Sequence, residues 1–470
     1  MDKKFYVTTP IYYVNDIPHI GHTCTTVVAD ILARYHKLLG EEVFFLTGTD
    51  EHGAKVAEAA AKEGLTPQEF TDRVSKTFSD IWPKLNIGND YFIRTTNPGH
   101  EKIVQDLLEI IYKKGDIYKA KYEGYYCIGC EKFVTETDLV NNRCPYHPNK
   151  EVVKQSEDNY FFRLSKYVPI LIRAIEDKND PHHYEILPEG KKSEVLARLK
   201  TGVNDTSISR AEVSWGIPVP WDKSQTIYVW IDALINYYSA LKINHQESFW
   251  PADIHLLGKE ILWFHAVIWE ALLISAGIPL PKKVFAHGFY TIDGQKMSKS
   301  LGNVISPKEL LEKFGVDGAR YLISTSFPAL EDSDIGWNKF TEKYNADLAN
   351  GLGNLVARIA KLCEKANTPF SSKSSLHFTK KVEEGIKDVR LDKALDSIWS
   401  SINDENKRIN QERPWELEGE KLENFLIKSA QTIRQIAFDL QPFLPQTAEK
   451  ILEQFKGPKI KSAPPLFPRI

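Results

Sequence analysis

The sequence predicts an α/β fold in which a parallel sheet is split by an insertion and followed by an all-α domain. Three observations predict it. Two strand–helix–strand units lie far apart, a stretch with closely spaced cysteines falls between them, and helical periodicity dominates beyond residue 345.

The first unit opens at residues 5–9, rich in β-branched and aromatic residues as a strand requires. Through residues 21–39 the apolar positions Cys24, Val27, Val28, Ile31, Tyr35 and Leu38 follow helical spacing, and Gly40 supplies a stop. Residues 43–47 read as the next strand, completing a βαβ unit. The same grammar returns as a strand at 254–257, a helix at 260–276 ended by Gly277, and a strand at 284–286. Together these halves, 1–115 and 226–344, predict a split Rossmann-type domain around an insertion at 116–225. Residues 345–470 form the all-α domain, with apolar residues at three and four spacings in 348–362, 391–402 and 425–438. From Gly457 onward four prolines predict an extended surface tail.

Bulk properties narrow the class. A chain of 470 residues suggests about three domains. Its 42 % hydrophobic content is ordinary for a globular protein. No long apolar run predicts a membrane span, and Met1-Asp2-Lys3-Lys4 lacks the apolar core of a signal peptide. Five cysteines make a disulfide framework improbable and point to a reducing compartment, the cytoplasm. A net charge of −3 argues against a general polyanion binder but leaves room for shape-specific RNA contacts.

Several clusters carry chemistry. Pro18-His19-Ile20-Gly21-His22 sits where the first strand gives way to the first helix. A helix N-terminus offers free N–H groups to anions. Gly21 leaves room for a base or phosphate, and His19 and His22 can each donate to phosphoryl oxygens. Capping alone would also explain two polar residues there. Lys296-Met297-Ser298-Lys299-Ser300 follows a turn signal, Asp293-Gly294, and precedes Gly302 and Asn303. Two lysines among small residues can neutralise charge developing on a polyphosphate. Gly258-Lys259-Glu260 stands at a strand end, where anions and ribose bind. Cys127-x2-Cys130 and Cys144-x2-His147 form two tight pairs that suit one structural zinc ion. Cys24 and Cys363 fit buried packing positions. Ile261, His265 and Trp269 are spaced by four and share a helix face. That face suits a thioether, but taken by itself it reads first as an ordinary core face with one satisfied histidine.

The first cluster resembles the HIGH signature of class I aminoacyl-tRNA synthetases, and the second matches their KMSKS signature letter for letter. The resemblance implies that His19 and His22 stabilise the transition state at the α-phosphate of ATP, with Gly21 beneath the adenine. It implies that Lys296 and Lys299 contact the triphosphate, with Mg²⁺ assisting. It places Gly258 and Glu260 near the ribose, where methionyl members of the class usually carry Gly-Lys-Asp; Glu260 departs from that pattern.

Three stretches are similar to the methionyl members. They are residues 9–15, residues 48–53, and 228–237 with the pattern Y-V-W-x-D-A. They imply a methionine pocket of Ile11, Tyr13, Trp230, Ala233, Leu234 and Tyr237, joined by Ile261, His265 and Trp269. Asp50 matches the acid that receives the substrate ammonium. Residues 350–358 and Pro414-Trp415 resemble anticodon-facing helices, which implies that Asn350, Asn354, Arg358 and Trp415 contact RNA. The connective insertion of the family often carries a zinc knuckle, here Cys127, Cys130, Cys144 and His147.

The implied reaction joins L-methionine to ATP, giving methionyl-adenylate and pyrophosphate. The methionyl group then passes to the 3′ end of tRNA(Met), for initiation and elongation. Three rivals remain at this point: a class I enzyme for another amino acid, a nucleotidyltransferase without a tRNA partner, and a non-catalytic zinc- and RNA-binding protein, against which the intact signatures speak. The large-aliphatic enzymes usually need a longer editing insertion, a cysteine enzyme puts its zinc in the active site, and the large helical domain speaks against the second rival. A monomer is expected, because the chain runs only a short way past the helical bundle.

Overall fold

The computed structural model describes residues 3–15, 17–127, 132–134, 139–145, 151–297, 302–371 and 375–470. Its centre is a six-stranded, all-parallel sheet. The strands are β1 (Lys4–Tyr13), β2 (Glu42–Asp50), β3 (Tyr91–Arg94), β4 (Glu185–Leu187), β5 (Ile254–Gly258) and β6 (Lys283–His287). They lie in the order β3-β2-β1-β5-β6-β4. The two expected halves thus meet at the pairing of β1 with β5, where Val7 aligns with Ile254 and Thr8 with His255.

Residues of β1 alternate between two cores. Phe5 and Val7 face the first, with Val27, Val28 and Ile31 of α1 (Ile20–Leu38). Tyr6 faces the second, with Val104 and Leu108 of α2 (Pro98–Lys113) and Leu234 and Tyr237 of α3 (Val229–Ile243). That period of two is the strand geometry, and burial on both faces is what a parallel sheet demands.

The first core does not stop at the sheet. It continues through Tyr321 and Leu322 of α4 (Pro307–Thr325), which bends at Gly315, into the helical domain. There it takes in Ile359 of α5 (Asn354–Ala366), Ile398 of α6 (Leu391–Glu412), Ile433 of α7 (Gly419–Leu440) and Ile451 of α8 (Pro445–Gln454). Among the described residues no helix is long and apolar enough to cross a membrane.

Two features differ from expectation. Residues 116–225 do not lie wholly outside the sheet, because β4 joins its edge beside β6. The rest of the insertion is built on a long antiparallel pair, Ile117–Cys127 with Val152–Phe162. Residues 260–276 are not one regular helix. A 3₁₀ turn (Lys259–Ile261) leads into a π-helical segment (Phe264–Trp269) and then a regular stretch (Glu270–Ala276). The wider turn leaves the Ile261 carbonyl to accept from the His265 ring, at 3.0 Å.

One buried ion pair fixes α4 to α1. Arg320 is 0 % exposed, and its Nη2 lies 2.7 Å from Asp30 Oδ2, itself buried. The same guanidinium donates to the carbonyls of Phe443 and Pro442 at 3.0 Å. Removing one partner leaves the other charge buried without its partner, so Asp30→Asn is expected to lower the unfolding free energy by about 3 kcal/mol. Urea denaturation checks it, and a loss below about 1 kcal/mol would contradict the assignment.

Candidate active site

Parallel strands bring their C-terminal ends to one edge, which is where this fold class binds ligands. Tyr13, Asp50, Gly258 and His287 close β1, β2, β5 and β6 there. The loop after β1 delivers His19 to the N-cap of α1. His19 Nδ1 accepts from the Gly21 N–H at 3.1 Å, and His22 Nδ1 accepts from the His19 N–H at 3.3 Å. The two rings stack at 3.8 Å. Burial, reinforced by His19, holds the His22 pKa well below the usual histidine range. His22 is therefore neutral, and each ring carries its proton on Nε2, turned away from the backbone.

The second signature meets the first. A Cβ on Gly21 would stand 2.9 Å from His19 Cε1 and 3.7 Å from Met297 Cε, so only glycine fits without moving the histidine. The Ile20 N–H donates to the Ile305 carbonyl at 2.9 Å. Asp293 and Gly294 both take positive φ in the hairpin that leads to exposed Lys296. Across the loop, Asn303 donates to the Lys296 carbonyl at 3.2 Å. Lys299 lies outside the described residues. Glu260 folds back, so that a Cβ on Gly258 would meet its carboxylate at 2.4 Å.

The expected methionine residues converge beside this edge. Tyr237 donates to His265 Nε2 at 2.7 Å, and His265 Nδ1 donates to Ile261. Burial lowers the His265 pKa to about 4, which matches a neutral ring holding both bonds. Tyr237 lies 6.3 Å from Trp269, and Trp230 stacks on Phe264 at 4.2 Å. Ile11, Tyr13, Trp230 and Ile261 pack on the same core as Leu234, Tyr237 and Trp269, and Ala233 is buried beside them. Tyr13 pairs in register with Asp50, which is 7 % exposed.

Sequence reading missed a polar network behind this pocket. Asp232 accepts from His52 and His100, each at 2.7 Å. The available signal was an acid inside the apolar run Val229-Trp230-Ile231-Asp232-Ala233-Leu234-Ile235.

Of the four expected zinc ligands, Cys127 and Cys144 are buried in one small cluster with Tyr125, Leu139 and Val152. A tight turn with positive φ at Asn141 and Asn142 leads into Cys144. Cys130 and His147 lie outside the described residues. Two buried thiols brought together in this way fit a thiophilic metal. Cys24 and Cys363 are buried packing residues, as expected.

On the helical domain, Asn350 and Asn354 are exposed and line a cavity of about 490 Å³. Its other wall is the C-terminal tail, from which Arg469 donates twice to Asn350 Oδ1, at 2.6 and 2.9 Å. Arg358 reaches Asn410 at 3.3 Å, and Trp415 stands 54 % exposed.

Comparison with known proteins decides the family. Residues 5–152 and 135–360 match the family described as tRNA synthetases class I (M). The methionine–tRNA ligase of Thermotoga maritima is 43 % identical, over 96 % of this chain and 75 % of that protein. That of Caldanaerobacter subterraneus subsp. tengcongensis is 41 % identical, over 100 % and 79 %. The chain belongs to the methionyl class I tRNA synthetases. The Mycobacterium tuberculosis methionyl-tRNA synthetase in complex with methionyl-adenylate superposes with a TM-score of 0.89 at 34 % identity, covering 99 % of each chain. A methionyl synthetase needs a pocket for an unbranched thioether, and the aromatic and apolar set around Tyr237 has that character.

The depressed histidines make stability pH-dependent. His287, 7 % exposed, has its pKa lowered to about 4 by burial. Below about 6.5 the unfolded chain binds a proton that the folded one refuses, so stability falls as pH drops. Between pH 7 and pH 5 His287 alone should cost about 2 kcal/mol. His287→Gln is expected to remove that share of the slope in urea melts at the two pH values, and an unchanged slope would refute it.

Proposed function

We propose that this chain activates L-methionine with ATP to methionyl-adenylate and pyrophosphate, then transfers the methionyl group to the 3′ end of tRNA(Met). The observation that carries this reading is the meeting of the two signatures at Gly21, Met297 and Ile305, inside a chain of the methionyl family. The methionine carboxylate attacks the α-phosphate, and the Nε2–H groups of His19 and His22 donate to oxygens gaining charge. A neutral His22 donates without having to give up a proton. Lys296 and Lys299 offset charge on the departing pyrophosphate, while Mg²⁺ accompanies ATP as part of the substrate. Asp50 takes the methionine ammonium as a charge-assisted hydrogen bond. Its side chain enters the pocket of Ile11, Tyr13, Trp230, Ala233, Leu234, Tyr237, Ile261, His265 and Trp269. Gly258 and Glu260 lie where the ribose would rest. No covalent nucleophile is required; positioning and electrostatics carry the rate.

The helical domain reads the tRNA, with Trp415 stacking on an unpaired base and Asn354 and Arg358 meeting base edges or phosphate. The buried thiols of Cys24 and Cys363 fit a reducing cytoplasm.

Charging of tRNA(Met) with labelled methionine tests the function. Stable methionyl-tRNA is expected, and adenylate formation with no charging of any tRNA would refute it. One zinc ion per chain, held by Cys127, Cys130, Cys144 and His147, would give the knuckle a filled tetrahedral shell. Chelation is then expected to lower the melting temperature before it slows adenylation. Elemental analysis showing no zinc in folded, active protein would overturn this.

A further inference from the structure

We propose that Asp232, acting through His52 and His100, is a positioning clamp that fixes the methionine pocket relative to the Asp50 carboxylate. The inference rests on the pocket assignment above. The Asp232 side chain is 1 % exposed, and both of its oxygens are held. Oδ2 accepts from His52 Nδ1 and Oδ1 from His100 Nε2, each at 2.7 Å. His100 Nδ1 then meets Ser239 Oγ at 2.6 Å. The circuit leaves α3 at Asp232, crosses to α2, and returns to α3 about two turns later.

The other branch runs to the segment after β2. His52 follows Asp50 by two residues, and the segment is held from its far side as well. Trp215 Nε1 donates to the Glu51 carbonyl at 2.6 Å, and the Gly53 N–H donates to the Trp215 carbonyl at 3.0 Å. The Trp215 ring stands edge-on to His52 at 5.4 Å.

Apolar side chains in place of the whole Asp232, His52 and His100 set would stabilise the core as well or better, since buried charges cost desolvation. What they would lack is direction. Two hydrogen bonds at fixed angles set the rotation of α3 about its axis, and α3 carries Trp230, Ala233, Leu234 and Tyr237. Through His52 the same carboxylate sets the end of β2, which carries Asp50. One group therefore fixes the span between the ammonium acceptor and the side-chain pocket. Its charge is supported too. Burial pushes the Asp232 pKa up, but His52 and His100 outweigh it and hold it below the usual carboxylate range. Asp232 also lies in the first turn of α3, where the helix dipole favours an anion.

The test is methionine-dependent ATP–pyrophosphate exchange by the full chain, comparing wild type with Asp232→Asn and Ser239→Ala. A misplaced pocket weakens methionine recognition selectively, so Asp232→Asn is expected to raise KM for methionine on the order of tenfold. KM for ATP and kcat should stay within about twofold, the split that separates positioning from general destabilisation. Ser239→Ala, which removes only the hydroxyl holding His100, should show the same split at about threefold. If Asp232→Asn does not fold, Ser239→Ala decides. Unchanged KM for methionine in folded variants, or equal rises for methionine and ATP, would overturn the clamp alone. A wild-type chain that activates no methionine would overturn the pocket assignment, and the clamp with it.

Discussion

The seam between β1 and β5 is the contact on which the rest of the molecule depends. It is closed by main-chain pairing at Val7–Ile254 and Thr8–His255, and by a 2.7 Å hydrogen bond between Thr8 Oγ1 and His255 Nδ1. Just outside it, the Tyr6 N–H donates to Asp253 Oδ2 at 2.8 Å and the Asp253 N–H donates to the Tyr6 carbonyl at 2.9 Å. Pairing segments so far apart in sequence costs loop-closure entropy that only later contacts repay. Those contacts include the candidate active site. The first signature follows β1 and the second follows β6, which pairs with β5. Tyr6 extends the seam to the pocket helix, donating to the Tyr237 carbonyl at 2.7 Å.

Around that seam the histidines are held neutral and singly oriented. His265 and His287 each donate from Nδ1 to a main-chain carbonyl, leaving Nε2 to accept from Tyr237 and Thr25. His22 is fixed the opposite way, with Nδ1 accepting from the backbone. Burial depresses all three, as it does His255. The consequence is electrostatic. In the proposed mechanism the donors to the triphosphate are then oriented before it arrives, which is the condition for effective transition-state stabilisation. The cost appears as lost stability in acid.

What was legible in the sequence was local. The strand at 5–9, the helix from Gly21 and the turn at Asp293-Gly294 each rest on neighbouring residues, and each stands where expected. The clustering of Tyr237, His265 and Trp269 was legible because a motif and a helical spacing pointed to these residues together. What stayed hidden depends on partners distant in the chain. β4 has three residues and no pattern of its own; it is a strand because β6 offers it an edge. The π-helical segment at Phe264–Trp269 leaves no mark in a periodicity of apolar residues. Nor could the sequence tell that the Glu260 carboxylate lies close over Gly258.

Buried charges account for the remaining order. The core that joins sheet and bundle is continuous and apolar, and apolar contacts alone tolerate small sliding and rotation. Arg320 and Asp30 remove that freedom between α4, α1 and the turn at Pro442 and Phe443. Asp232 does the same between α3, α2 and the end of β2. Both carboxylates sit on helices that carry site residues, Asp30 on the helix capped by His19 and Asp232 on the helix of Trp230. Each accepts the desolvation cost of a buried ion and gains a fixed angle in return. That exchange is worth making where a displacement of an ångström changes a rate, and worth little elsewhere.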